Sequence, residues 1–441
     1  MTGLTSFLLR RFFYLVSALS FIAPVCAITI DDAFNNAVKV DPALRSSRYN
    51  QEASSENIAI ARSRLLPQIS LQGSSNQLTQ TTTQDLPGNT SISKSFTGPS
   101  SNHQFVIRQA LLRPKEILAL NFAELQVQYG QVKYQSDLSD LWLRVANSWI
   151  DLVGAAQLVE AYAKPLTTLQ LAAKQEKAKF IQGDGTKDLV AEAEAQFNLA
   201  EAMYQQAFQS LKAKQKAFEL LTQLQSRSLA DKRLDLEPKA VLSDNDREKI
   251  WMNKKDTSFE LRLAEIQLAL QRERVRMARA DHLPTLDILA AMNLAKNDAT
   301  STQGYRYKNN QIGIQYVVPI YTGGALSAAQ RQAGLSLEAT IADNEAIANR
   351  LEVDFQIMWS AGLGQISRVH ASHRLMESSK EQLRASQLSF AHGVKSISDL
   401  ANAELSLSRR EVEQIILVME YLKYLVRISK NDFIENYLQK N

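Results

Sequence analysis

The chain has 441 residues, a formal net charge of +4, 22% charged residues and one cysteine, Cys26. A balance this near neutral offers no basic stripe for nucleic acid, and a single cysteine excludes internal disulfides and zinc–thiolate clusters.

Arg10 and Arg11 precede an apolar run from Phe12 to Ile22, and Pro24 then leads into Val25-Cys26-Ala27, a small-residue cleavage site. Residues 1–27 therefore read as a secretory signal peptide. The competing reading, an uncleaved anchor, is disfavoured by the shortness of the run and by Pro24. Cleavage removes two arginines and no acids, taking the charge from +4 to +2, and leaves no cysteine in the mature chain. Lipid attachment at Cys26 is not expected, because Ala23-Pro24-Val25 lacks the leucine and small-residue pattern of lipoprotein signals. No later segment reaches 18 uninterrupted apolar residues, so the chain is either soluble in the periplasm or crosses a membrane as strands of a closed barrel.

Residues 28–65 read as helix, with Ile30, Ala33, Val38 and Leu44 on one side and Asp41-Pro42 as a turn or restart. Leu66-Pro67 closes it, since proline lacks an N–H and pushes its predecessor to extended geometry. Ile69 and Leu71 then alternate with Gln68, Ser70 and Gln72. Residues 81–100 are rich in Thr, Ser, Asn and Gly and read as a loop, and Phe105–Leu111 alternates again. The expectation for 66–113 is a hairpin with a long polar tip.

From Pro114 to about Phe180 the pattern is helical, some 100 Å at 1.5 Å per residue. Leu138, Val145, Leu152 and Val159 recur every seven residues, as do Trp142, Trp149, Ala156 and Ala163, and Pro165 should kink the helix. Trp142, Trp149 and Trp359 read as knobs packed between helices. A second long helix is expected over 188–222, a connector containing Pro238 over 226–245, and a helix over 249–281.

Leu283-Pro284 then repeats the earlier switch. Arg62, Leu66 and Pro67 recur at one common spacing as Arg279, Leu283 and Pro284. Trp149, Phe180, Gly183 and Ala193-Glu194 recur at a slightly shorter one as Trp359, Phe390, Gly393 and Ala403-Glu404. The chain is thus a duplication, 28–245 and 246–441, of helix, β-hairpin and long helix pair. The second hairpin, 283–321, has Leu286, Ile288, Met292 and Leu294 on one face, a tip near 297–304, and a return face of Ile312, Ile314, Tyr316, Val318 and Ile320. Strands of about ten residues can cross a bilayer at a tilt. Four strands cannot close a barrel, so the membrane reading requires oligomerisation. The bland alternative is two ordinary hairpins in a soluble protein. The long pair recurs over 325–389 and 398–438.

Pro319-Ile-Tyr-Thr-Gly323-Gly324 fails as a phosphate loop, because no Lys-Ser/Thr follows. Its glycines allow a sharp strand-to-helix change. Between the last two helices, Gly393 can end one and Ser396 cap the next, with Asp399 at capping-box spacing. The sister turn runs Gly183-Asp184-Gly185-Thr186-Lys187-Asp188, its acid one place earlier. Asp399 therefore reads either as a helix cap alone or as a member of a cation-favouring ring that symmetry gathers at a pore mouth, and the two readings are compatible. His370 and His373 stand three apart with no acidic partner evident nearby, so a solvated face is expected there and no metal. No catalytic constellation is visible.

Together Ala61–Pro67, Ala280–Pro284, Val318–Gly324, Gly185-Thr186 leading into Ala193-Glu194-Ala195, and Gly393–Asp399 resemble the TolC family of outer-membrane efflux and secretion channels. The resemblance covers essentially the whole mature chain. It implies a mainly α protein with membrane β, a homotrimer closing a 12-stranded barrel in outer-membrane lipid above an α-helical tunnel. It implies a passive exit duct for tripartite efflux or type I secretion in a Gram-negative outer membrane, with no enzyme activity and no cofactor. A periplasmic adaptor would dock on the tips at 180–190 and 390–402, touching Gly183, Gly185, Thr186, Gly393 and Ser396, and an inner-membrane efflux pump or ABC transporter would drive cargo. Phe390, Lys395 and Asp399 fall on the family's gating tyrosine, its arginine partner and the first constriction aspartate. Asn402 replaces the second aspartate, and Asp188 lies one residue from the acidic position of the first turn. A phenylalanine without a hydroxyl and a lysine without bidentate contacts imply a looser latch and one acidic ring from this turn. Asn441 follows soon after the last helix, so the C-terminal extension of some members is not expected. The reading from another class is a periplasmic coiled-coil scaffold without pore activity.

Overall fold

The computed structural model describes residues 29–225, 232–237, 247–298 and 305–440. The signal sequence with Cys26, most of the connector with Pro238, and residues 299–304 of the second hairpin tip lie outside these. The elements run α1 (Ile30–Val40), α2 (Pro42–Ser63), β1 (Gln68–Leu86), β2 (Thr90–Leu112), α3 (Pro114–Ala163), α4 (Leu166–Gln182) and α5 (Lys187–Thr222). The second half continues with α6 (Arg247–Asp256), α7 (Phe259–Ala280), β3 (Thr285–Asn297), β4 (Tyr305–Val317), α8 (Ala325–Ala391) and α9 (Ile397–Lys440). Two compact units emerge, and each draws on both halves of the duplication: one from residues up to 46, 135–258 and 352–441, the other from 47–134 and 259–351.

The first unit is helical. Asp41 ends α1 and starts α2; its buried carboxylate accepts from the Leu44 N–H at 2.9 Å and from both Arg144 guanidinium nitrogens at 3.2 and 2.9 Å. Burial pushes the Asp41 carboxyl up, but these bonds outweigh it and hold it below the usual carboxylate range. Of the eight heptad positions, Leu138, Trp142, Val145 and Leu152 are buried and Trp149, Ala156, Val159 and Ala163 half-buried. Trp142 stacks on Phe433 at 3.6 Å, and Phe34 meets both edge-on. Val153, Ile366, Val369, Val418 and Tyr421 form a second cluster, and Trp359 with Phe355 a third against Trp251. Pro165 separates α3 from α4 instead of merely bending one helix. The helix expected over 249–281 is likewise two, broken at Thr257-Ser258.

Close helix approach at Gly362 makes a sharp test. A Cβ there would run into the ring of Tyr424, whereas one at Gly364 would meet open space. Burial lifts the Tyr424 hydroxyl to about 12, so the ring stays neutral and packs as bulk. Gly362→Ala is expected to cost about 1–3 kcal/mol by overpacking. Gly364→Ala should be neutral or stabilising, since alanine favours helix by about 1 kcal/mol. Urea midpoints of the two variants check the contrast.

The second unit carries one antiparallel sheet in the order β1-β2-β3-β4. Here the structure corrects the expected tip. Residues 81–100 are not a loop: β1 and β2 stay paired from Gln68↔Arg108 to Leu86↔Thr90, so they have 19 and 23 residues rather than about ten. Threonine is a good strand residue, and here its hydroxyls pair with threonine and serine across the hairpin: Thr79 with Thr97 at 3.0 Å, Thr81 with Ser95 at 3.1 Å, Thr83 with Ser93 at 2.7 Å. The pairing of β2 with β3 begins only at Ser100↔Asn297, so this hairpin outruns its neighbours. The return strand ends at Val317, and Val318 and Ile320 lie beyond it. Gly323 and Gly324, at φ +63° and +83°, then turn the chain into α8.

Register sorts the sheet into two faces. Ile69, Ile107, Ala290 and Ile312 form one row and Leu71, Phe105 and Met292 the next. Gln72, Gln104, Asn293 and Asn309 form a row on the other face. The apolar face is open to solvent in the single chain, with Leu71 75% and Ile312 81% exposed. The outer edges of β1 and β4 have no strand partner among the described residues.

Candidate functional site

Two helix-to-helix turns hold the residues singled out from sequence. In the first, Gly183 adopts φ +86° after α4, its N–H reaching the Phe180 carbonyl at 3.1 Å and the Asp184 N–H the Lys179 carbonyl at 3.0 Å. In the second, Gly393 adopts φ +70°, its N–H reaching the Phe390 carbonyl at 3.0 Å and the Val394 N–H the Ser389 carbonyl at 2.9 Å. Both are Schellman closures, which need a left-handed residue at this position, and glycine takes it without strain. Phe180 and Phe390 are thus equivalent carbonyl acceptors in their turns, and both side chains are partly exposed, at 45% and 38%.

The helices that follow are capped unequally. Ser396 and Asp399 make the full capping box: the Asp399 N–H donates to Ser396 Oγ at 3.1 Å, while the Ser396 N–H and hydroxyl donate to Asp399 Oδ2 at 2.9 and 2.7 Å. Thr186 accepts from the Leu189 N–H at 3.4 Å, with Asp188 one place too early to reciprocate. The Ser396 hydroxyl first, then its N–H, with Lys395 adding a smaller effect, hold the Asp399 carboxyl below the ordinary carboxylate range. A lowered folded value means the cap contributes fully above about pH 4 and is lost as pH falls through that lowered value. Asp399 is therefore ionised and exposed at neutral pH.

Lys395 donates to Ser386 Oγ at 3.0 Å on the preceding helix, which orients it beside the turn. Asn402 is exposed one turn beyond Asp399. No hydrogen bond or ion pair joins Asp188 to Asp399, Lys395 or Phe390. What links the helices of the two turns is a residue pair the sequence did not single out. Glu176, buried on α4, takes Lys179 Nζ at 2.7 Å and the Ser398 hydroxyl at 3.4 Å. Beneath it, Leu169, Ala172, Ala200 and Ala401 pack α4, α5 and α9 together. Glu176 lies 222 positions from Ser398, so no local spacing could reveal the contact.

His373, expected to stand without acidic company, lies 3.8 Å from Glu237 and 3.9 Å from Glu377. Glu377 is one turn further along the same helix, and Glu237 comes from the connector. No group of three or more His, Cys, Asp or Glu side chains placed to hold a metal ion occurs among the described residues, these included, and no helix among them is long and apolar enough to cross a membrane.

The family described as outer membrane efflux protein matches residues 254–430. Outer membrane protein TolC of Vibrio cholerae is 24% identical over 426 residues, 93% of each chain. Alkaline protease secretion protein AprF of Pseudomonas aeruginosa is 25% identical over 389 residues, covering 86% of this chain and 79% of its own length. The CmeC outer membrane channel of Campylobacter jejuni superposes with a TM-score of 0.71 at 16% identity, covering 91% of this chain and 85% of its own.

Proposed function

Because the chain belongs to the TolC family of outer membrane efflux proteins, we propose that three copies form an outer-membrane channel that passes cargo without chemistry of its own. The observation that carries this reading is the sheet. Its four strands expose one apolar face and leave both edges unpaired, a state stable in a membrane only when edges from other copies complete a barrel. Three copies supply 12 strands. The apolar rows then face lipid and the glutamine and asparagine rows face the lumen. A family named for efflux and relatives named for protease secretion support an exit duct serving a pump or secretion system.

The two turns are the gate in this reading. Gly183, Gly185, Thr186, Gly393 and Ser396 shape tips that a periplasmic adaptor grips, with an inner-membrane pump or ABC transporter supplying the work. Phe390, Lys395, Asp399, Asn402 and Asp188 line the closed end. Asp399, fixed by its cap and ionised, supplies the cation-favouring ring, and Asn402 adds no second one.

Planar-bilayer conductance of the purified chain, with Asp399→Asn alongside, tests the proposal. Discrete steps are expected, with a cation preference that falls in the variant. Steps with unchanged selectivity would discard Asp399 as the filter, and a folded oligomer that never conducts would discard the channel. The lost cap should itself cost at most about 1 kcal/mol at the start of α9, too little to abolish insertion.

A further inference from the structure

The joint where α2 feeds β1 and β2 feeds α3 encloses a polar cavity of about 270 Å³, lined by Arg64, Gln68, Arg108, Arg113, Glu116 and Asp287 among others. We infer that this cavity binds a small oxyanion, a phosphate or carboxylate group borne by a solute, on the lumen face of the sheet; the lumen placement rests on the channel reading above.

Charge and exposure carry the argument. Three guanidinium groups meet two carboxylates, leaving one excess positive charge per chain. Asp287 is shared, taking Arg108 Nε at 2.9 Å and Arg113 Nε and Nη2 at 2.8 and 2.7 Å. Glu116 takes Arg64 at 3.3 Å. The acids lie inside and the cations outside. The side chains of Asp287 and Glu116 are 4% and 17% exposed, those of Arg108 and Arg64 43% and 56%. A solute at the mouth therefore meets N–H donors in planar forks, the geometry that suits an oxyanion. Arg108 pairs in register with Gln68 and shares its face with the row Gln72, Gln104 and Asn293. That is the polar face, so the source is a dissolved anion and not a lipid headgroup.

The duplication shows that the joint itself does not demand Arg64. Arg64 corresponds to Asp281 in the second copy, where Lys115 pairs with it at 2.9 Å. A neighbouring cavity between the start of α3 and the end of α7 is lined by Leu112, Pro114, Ile117, Leu118, Ala280 and Leu283 with Arg276 and Arg279, and it offers no carboxylate.

Inorganic phosphate is the probe. Calorimetric titration into the detergent-solubilised full chain should show saturable binding, weakened at least tenfold in both Arg108→Gln and Arg64→Gln. Arg64 is exposed enough that its variant folds normally, and in Arg108→Gln the Asp287–Arg113 pair survives. In bilayers, phosphate should reduce the single-channel current of the wild-type chain and not of either variant. Absent binding, or binding unchanged in both variants, overturns the site. Binding without any effect on a conducting channel overturns its lumen placement. A chain that binds phosphate but never conducts counts against the channel and leaves the site standing.

Discussion

Trp359→Ala is expected to lower the stability of the helical unit by about 3–5 kcal/mol, the largest single loss from any substitution in its core. Trp359 is 2% exposed and packs against Phe355 at 5.7 Å, in a cluster with Ile250, Trp251 and Leu425. The cluster joins α6, α8 and α9, and long helices have little freedom to collapse locally into a void, so most of the cavity persists. Trp359→Phe retains an aromatic ring and should lose less than half as much. Urea titration followed by far-ultraviolet circular dichroism, rather than tryptophan fluorescence, compares the two. Equal losses would mean that Trp359 acts through its indole N–H and not its volume.

Asp287→Ala comes second, at about 2–3 kcal/mol. Removing one partner of a buried ion pair costs about 3–5 kcal/mol because the other charge stays behind unpaired. Here Arg113 and Arg108 are 26% and 43% exposed and partly rehydrate, which reduces the cost. The two guanidiniums would then repel at the foot of the sheet, where β2 carries an irregularity between Ala110 and Leu112 and has little pairing to spare. The readout is the yield of heat-resistant oligomer in detergent, which should fall sharply in Asp287→Ala and only mildly in Arg108→Gln. Equal yields of all three proteins would show that the cluster is not structural.

Sequence carried the local features well. Leu66-Pro67 and Leu283-Pro284 mark both helix-to-strand switches, and Gly183, Gly393 and the Ser396–Asp399 spacing mark both turns, because each is decided within five or six residues. Three features escaped it. The hydroxyl-rich hairpin has no apolar face, so period-two hydrophobicity was silent there, and only the β preference of repeated threonines hinted at a strand. The break at Thr257-Ser258 was signalled by residues that commonly start helices, but the apolar pattern ran straight through it. The Asp287–Arg113 and Glu176–Ser398 contacts join residues 174 and 222 positions apart. An acid inside an alternating strand, and a glutamate on a packed helix, were the only traces they left.

The unequal caps have a kinetic side. The two helix ends placed at the proposed gate do not unwind with equal ease. The first turn of α9 is held by three reciprocal bonds, that of α5 by one long one. The backbone amides at Asp188 and Leu189 should therefore exchange with solvent sooner than those at Ser398 and Asp399. If opening begins as fraying, it begins on the α4–α5 side, and the carboxylate of Asp399 rides on the part that stays wound longest.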